Sequence, residues 1–365
     1  MSEREGSAES RVRSGNKKIL DEFVRTFIRN GDNYLEGNSS KSYPDGGRYE
    51  GSFVNGQRSG QGIFYYANGD VYAGDWADDR MTGTGIYAYV TGERYSGELD
   101  KGVKAGKGAY HYSNGNRYEG TWLNGLKHGK GNYSYFTGES YKGEWAGGLK
   151  EGQGTFTLGN GDQYKGGFRA GVKEGGGSIR YKDGTVFKGQ WGGDKATGEG
   201  EMVYRGGDRY VGEYRESKKH GFGTMNWSGG AKLAGEFKED SASGNAKVEF
   251  ANGDAFEGTV RGGLREGPGR ITYSNGDSYV GDFHLDLRHG HGKYTYRDTG
   301  DSYEGEWQND LKHGRGVYRF ASGDVFEGSF VEGARRGPGR MRFADGREQT
   351  GEFDEEPNHG PALFM

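Results

Sequence analysis

From Tyr49 onward, apolar side chains recur in two short alternating sets, and the whole arrangement returns every 23 residues. In the copy opening at Tyr118, one set is Tyr118, Gly120 and Trp122, and the other is Gly129, Gly131, Tyr133 and Tyr135. A spacing of two puts each set on one face of a β-strand. The pattern therefore predicts a short strand, Tyr118–Trp122, and a longer one, Gly129–Tyr135, in every copy. The opening residue falls at Tyr49, Tyr72, Tyr95, Tyr118, Tyr141, Tyr164, Phe187, Tyr210, Leu233, Phe256, Tyr279, Tyr303 and Phe326. Only the step from Tyr279 to Tyr303 is longer, by one residue near Thr299 and Gly300.

With the opening residue as position 1, a six-residue loop is expected between the strands, often with glycine third, as at Gly56, Gly102, Gly125 and Gly148. The return to the next copy is expected to be a tight turn, as at Asn68-Gly69, Asn114-Gly115 and Asn160-Gly161. Asparagine and glycine both tolerate positive φ there. Position 3 is glycine in all thirteen copies, and positions 12 and 14 are both glycine in twelve. Bare backbone beside large rings lets the rings lie flat, so a stacked ladder of Tyr, Trp and Phe is the expected core. A fixed period of this length means units that pack on their neighbours. The predicted fold class is all-β: an elongated array of hairpin repeats forming a twisted antiparallel ribbon, with one short N-terminal α-helix.

The expected organisation has a disordered stretch over residues 1–15 and an amphipathic helix over 16–31. A degenerate half-repeat follows over 32–48, then thirteen full copies over 49–348 and a decayed terminal copy over 349–365. Ile19, Leu20, Phe23, Val24, Phe27 and Ile28 fall on one face of the helix. It either caps the open end of the array or docks a partner. The copy opening at Leu233 departs from the rest, because Gly244-Asn-Ala246 breaks the paired glycine. That break reads as a bend, a partner site or tolerated drift.

Composition changes this picture little. Apolar content is only 31%, which would suggest disorder, but aromatic content is 14% and nearly all of it is periodic. The net charge of −4 argues against a nucleic-acid binder. There is no cysteine, hence neither disulfide nor thiolate site. No apolar stretch reads as a signal peptide or membrane span, so a cytoplasmic location is the expectation.

Charge is periodic too. Position 10 is basic in ten copies: Arg58, Lys104, Lys127, Lys150, Lys173, Lys219, Arg265, Arg288, Lys312 and Arg335. These are expected to line one margin of the ribbon as a candidate site for an anionic partner, either acidic protein or phosphoinositide headgroups. The opposite margin carries Asp70, Glu93, Glu139, Asp162 and their equivalents. Solvation of both margins is the competing reading. Histidines 128, 220, 289, 313 and 359 precede a position-12 glycine, and periodic placement favours packing over zinc. No dinucleotide, Walker, nucleophile-elbow or metalloprotease motif is present, so no catalytic residue, cofactor or metal is expected.

The pattern Tyr-x-Gly-x-Trp-x-x-Gly-x-x-x-Gly-x-Gly-x-Tyr, closed by an x-x-Gly turn, resembles the MORN repeat. Residues 118–139, 141–162 and 303–324 match it closely. The resemblance implies a non-enzymatic scaffold for protein–protein assembly in a cytoskeletal, flagellar or ciliary structure. It also implies self-association through the C-terminal copies. The alternative it leaves open is an adaptor for anionic membrane using the basic margin.

Overall fold

The computed structural model describes residues 39–355, and every helix or strand in that range is a β-strand. The contacts divide the chain into two compact units between Lys182 and Asp183. The first contains thirteen strands from Ser39 to Arg180, and the second fifteen strands from Val186 to Asp354. Within each unit, consecutive strands pair antiparallel. The expected N-terminal helix, the stretch 1–15 and the last ten residues lie outside the described residues.

The copy opening at Tyr118 shows how a unit is built. Strand Arg117–Leu123 pairs with strand Leu126–Ser134 in direct register at both ends. Only Asn124 and Gly125 separate them, with φ of 50° and 78°. Two successive left-handed residues make a type I′ hairpin turn, whose twist suits antiparallel strands. The expected six-residue loop is thus replaced by longer strands and a two-residue turn. A bulge between Gly120 and Thr121 takes up the extra length on the partner strand, where Gly129 has φ 57°. Position 12 is glycine because the bulge needs that conformation.

The return turn also differs from the expectation. Tyr112 N–H donates to the Asn116 carbonyl (2.9 Å), and Gly115 N–H donates to the Tyr112 carbonyl (3.0 Å). Only Gly115 is left-handed there, at φ 86°; Asn114 is not. Asparagine serves instead through its side chain, whose Oδ1 accepts from Asn116 N–H at 3.0 Å. The longer step falls in this turn, where Tyr296 N–H reaches the Asp301 carbonyl.

The core is the ring ladder. Tyr118 has no exposed surface and lies across Gly131, where an added Cβ would sit 2.4–2.6 Å from its ring and hydroxyl. Its hydroxyl donates to the Thr121 carbonyl at 2.9 Å. Trp122 Nε1 donates to the Gly108 carbonyl of the preceding copy, and Trp145 does the same to Gly131. Tyr118 meets Trp122 and Trp145 edge-on, with centroids 5.0 and 5.4 Å apart. Each ring therefore packs on its own copy and on a neighbour.

The ends repeat the theme. Strand Ser39–Ser42 pairs with Arg48–Val54 through the same kind of return turn at Tyr43–Gly47. Strand Glu348–Asp354 closes the second unit and sets Phe353 edge-on to Phe326 at 4.9 Å. The Leu233 copy keeps its hairpin, Lys232–Lys238 against Ser241–Glu249. Leucine there is narrower than tyrosine, and Ala246 replaces glycine at position 14 opposite Gly235.

Candidate interaction surface

All ten position-10 cations lie over rings of the ladder. Lys127 Nζ is 4.2 Å from the Trp145 centroid and 4.6 Å from that of Tyr133. Arg58 is 4.3 Å from Trp76, and Arg288 is 4.5 Å from Trp307. The expected solvent-facing basic margin is therefore a half-buried row seated on the core. The second strand begins three residues earlier than expected, at Leu126 instead of Gly129, so position 10 falls within it, on the ring face. Burial pulls the Lys127 ammonium down to about 8, with Lys150 adding repulsion. Burial, with Arg288 and Arg335 nearby, does the same to Lys312. All four arginines are further engaged by a carboxylate of the next copy: Arg58 with Asp79, Arg265 with Asp286, Arg288 with Asp310, and Arg335 with Glu355.

The acidic row is not a loose margin either. Asp277 Oδ1 accepts Arg297 N–H of the following turn at 2.8 Å, and its Oδ2 accepts the Tyr294 hydroxyl at 2.8 Å. Asp70 does the same to Val90 N–H and Tyr87, and Asp301 to Ala321 N–H and Tyr318. Asn116 performs the job without a charge, accepting Phe136 N–H at 3.0 Å. These side chains staple each return turn to the next. Burial works to raise the Asp277 carboxyl, but hydrogen bonds from Arg297, Tyr294 and Asn275 outweigh it and hold it low. Replacing Asp277 by alanine is expected to destabilise its unit by about 1–2 kcal/mol in chemical denaturation. Asparagine at that position should retain most of the stability, as Asn116 does by example.

What remains free is aliphatic. Position 9, the first residue after the type I′ turn, is Val103, Leu126, Leu149 and Val172 in successive copies of the first unit, all exposed. Leu126 is 52% exposed and pairs with the equally open Leu123. The second unit carries Leu264, Leu287 and Leu311 at the same position, again exposed. Sequence reading passed over this row, although a 23-residue recurrence of Leu or Val beside the turn glycine was there to be seen. The second unit also has a groove of about 670 Å³ over its glycine stripe, with Phe222 65% exposed beside Val211 and Ala234. Among the described residues, no three His, Asp or Glu side chains converge as a metal site.

Such a chain is a repeat protein, made of hairpins stacked edge to edge with a ring ladder on one face. The MORN repeat model matches residues 49–71, 72–94, 95–117, 118–140, 141–163, 164–186, 187–209 and 210–232. It matches again at 256–278, 279–300, 303–325 and 326–346, passing over the Leu233 copy. The chain belongs to the MORN-repeat family, whose repeats form a non-catalytic scaffold for protein or membrane binding. Comparison with curated proteins finds no match.

Among solved structures, the chain is similar to the TCP10 domain of Danio rerio CPAP, solved with a peptide of Danio rerio STIL. Identity is 14%, over 62% of this chain and 96% of that one, with a TM-score of 0.35. The TCP10c domain of Drosophila melanogaster Sas-4 is 12% identical over 48% and 99%, with a TM-score of 0.28. Virginiamycin B lyase from Staphylococcus aureus is 9% identical over 86% and 93%, with a TM-score of 0.13.

Proposed function

We propose that the chain is a non-enzymatic scaffold for protein–protein assembly, self-associating through its C-terminal copies, in a cytoplasmic cytoskeletal, flagellar or ciliary structure. The observation that carries the binding role is the exposed aliphatic row at position 9. Four neighbouring copies in the first unit and three in the second offer apolar side chains at regular spacing, about 9.5 Å per copy. Repeated exposed apolar groups mark an interaction surface more often than chance exposure does. The cellular setting rests on family resemblance alone. An anionic membrane surface is the weaker reading, because the position-10 cations that would serve it are seated over rings and two of the lysines are partly discharged near pH 8.

The test is light scattering coupled to size exclusion, on the full chain and on a Leu264→Asp, Leu287→Asp, Leu311→Asp variant, at low and high salt. The expected result is an oligomer that persists in salt and becomes monomeric in the variant. A monomer under all conditions sinks self-association. Salt-sensitive co-sedimentation with phosphoinositide vesicles, unchanged in the variant, would move the assignment to the membrane.

A further inference from the structure

In the first unit, the sheet face opposite the ladder changes character along its length. One cross-strand row runs Glu50, Ile63, Ala73, Ile86, Ser96, Ala109, Glu119 and Asn132, each directly paired with the next. A parallel row runs Arg48, Tyr65, Val71, Ala88 and Arg94. Only over strands Gln57–Tyr65, Val71–Ala77 and Arg80–Ala88 are both rows apolar. There Ile63, Ala73 and Ile86 are 7% exposed and Val71 is 9% exposed. At the matching places further on, Glu119, Asn132, Lys142 and Lys165 are open to solvent. The described strands contact chiefly their sequence neighbours, so none of them supplies a cover for this patch.

We propose that the patch is the docking site of this chain's own segment 16–30, bound as a helix by its face of Ile19, Leu20, Phe23, Val24, Phe27 and Ile28. The dimensions agree. Three strands span about 10 Å between the outer two, and a helix is about 10 Å wide. The tether agrees as well. Residues 31–38 can reach up to ~27 Å, while strand Ser39–Ser42 lies two strands, about 10 Å, from Gln57–Tyr65. The apolar patch sits on the first copies, within reach of the N-terminal segment, and stops by the third. Arg48 and Arg94 flank it, and Asp21 and Glu22 stand beside the apolar face of the segment. The segment thus covers the flat face of the sheet rather than the open edge of its first strand.

The chain lacks cysteine, which makes cross-linking clean. In the full chain, Thr26→Cys is paired with Ser96→Cys, or with Lys165→Cys on the same face several strands away, and treated with a short bismaleimide. Hydrogen exchange over residues 16–30 is measured in parallel, with and without Ala73→Arg, and circular dichroism verifies that the sheet survives. The expected result is an intramolecular cross-link to position 96 but not 165. Exchange over 16–30 should be slowed about tenfold or more and return to the free rate in Ala73→Arg. Equal linking to both positions, linking only between chains, or an unprotected segment would overturn the proposal. Between-chain linking would identify a second copy as the occupant, and protection unaffected by Ala73→Arg would place the segment elsewhere.

Discussion

Each unit is expected to unfold abruptly above about pH 11, with tyrosinate absorbance rising in the same step as the loss of circular dichroism. Burial pushes the Tyr118 hydroxyl up to about 12, and Tyr95, Tyr141, Tyr210, Tyr279 and Tyr303 are raised in the same way. All six have essentially no exposed surface. The stabilisation from a raised folded-state value is complete below the unfolded value near 10 and is lost as pH climbs through the folded one. Each buried tyrosine contributes a slope of about 1.4 kcal/mol per pH unit, so three per unit give about 4. That slope exhausts the stability of an ordinary domain within a few pH units. The lysines act in the opposite sense. Lys127 and Lys312 bind fewer protons when folded, so stability first rises from about pH 8 towards 10. The expected profile has a shallow maximum before the fall. Tyrosines titrating smoothly near pH 10 in an intact sheet would refute this account.

Replacing Gly131 by alanine should destabilise the first unit by about 3 kcal/mol or more. The new methyl would meet the Tyr118 ring, which has nowhere to go, at contact distances no carbon tolerates. Gly138 makes the contrast. It has φ 94° and nothing within 4 Å of an added Cβ. Alanine there should cost only about 1–2 kcal/mol, for the left-handed backbone. The copy at Leu233 carries the compensated form already, with leucine at position 1 and Ala246 at position 14. Tyr118→Leu combined with Gly131→Ala should therefore be less damaging than the sum of the two, by about 1–2 kcal/mol. Strict additivity in denaturant titrations would show that the ring is not what excludes the methyl.

The ladder was legible from the chain because its cause is local. A ring at position 1 and glycine at positions 3 and 14 need each other wherever the copy sits. The turns were less so. Asn-Gly looks like a type I′ turn, yet Asn114-Gly115 forms a turn with one left-handed residue, while Asp78-Asp79 and Glu216-Ser217 adopt two. Pairing on both sides forces those residues into place, and pairing with the next copy cannot be read from one copy alone. The surroundings of the charged rows were hidden for the same reason. Lys127 reads as a surface lysine until the strand is known to extend past it, and Asp277 reads as a turn residue until the neighbouring turn is set beside it. Leu126 was overlooked because attention goes to the residues that repeat most strictly, and the free surface repeats least.

The single extra residue in the turn that ends at Asp301 shows where this chain tolerates change. It falls outside the paired positions, and the staples from Asp301 to Ala321 and Tyr318 remain in place. An extra residue inside a strand would carry every following ring to the wrong face. Whole copies can therefore be gained or lost by recombination without disturbing their neighbours, and single-residue slips survive only in the return turns. Copy number is the heritable variable that this architecture leaves open, and related chains should differ by whole multiples of a repeat far more often than by fragments of one.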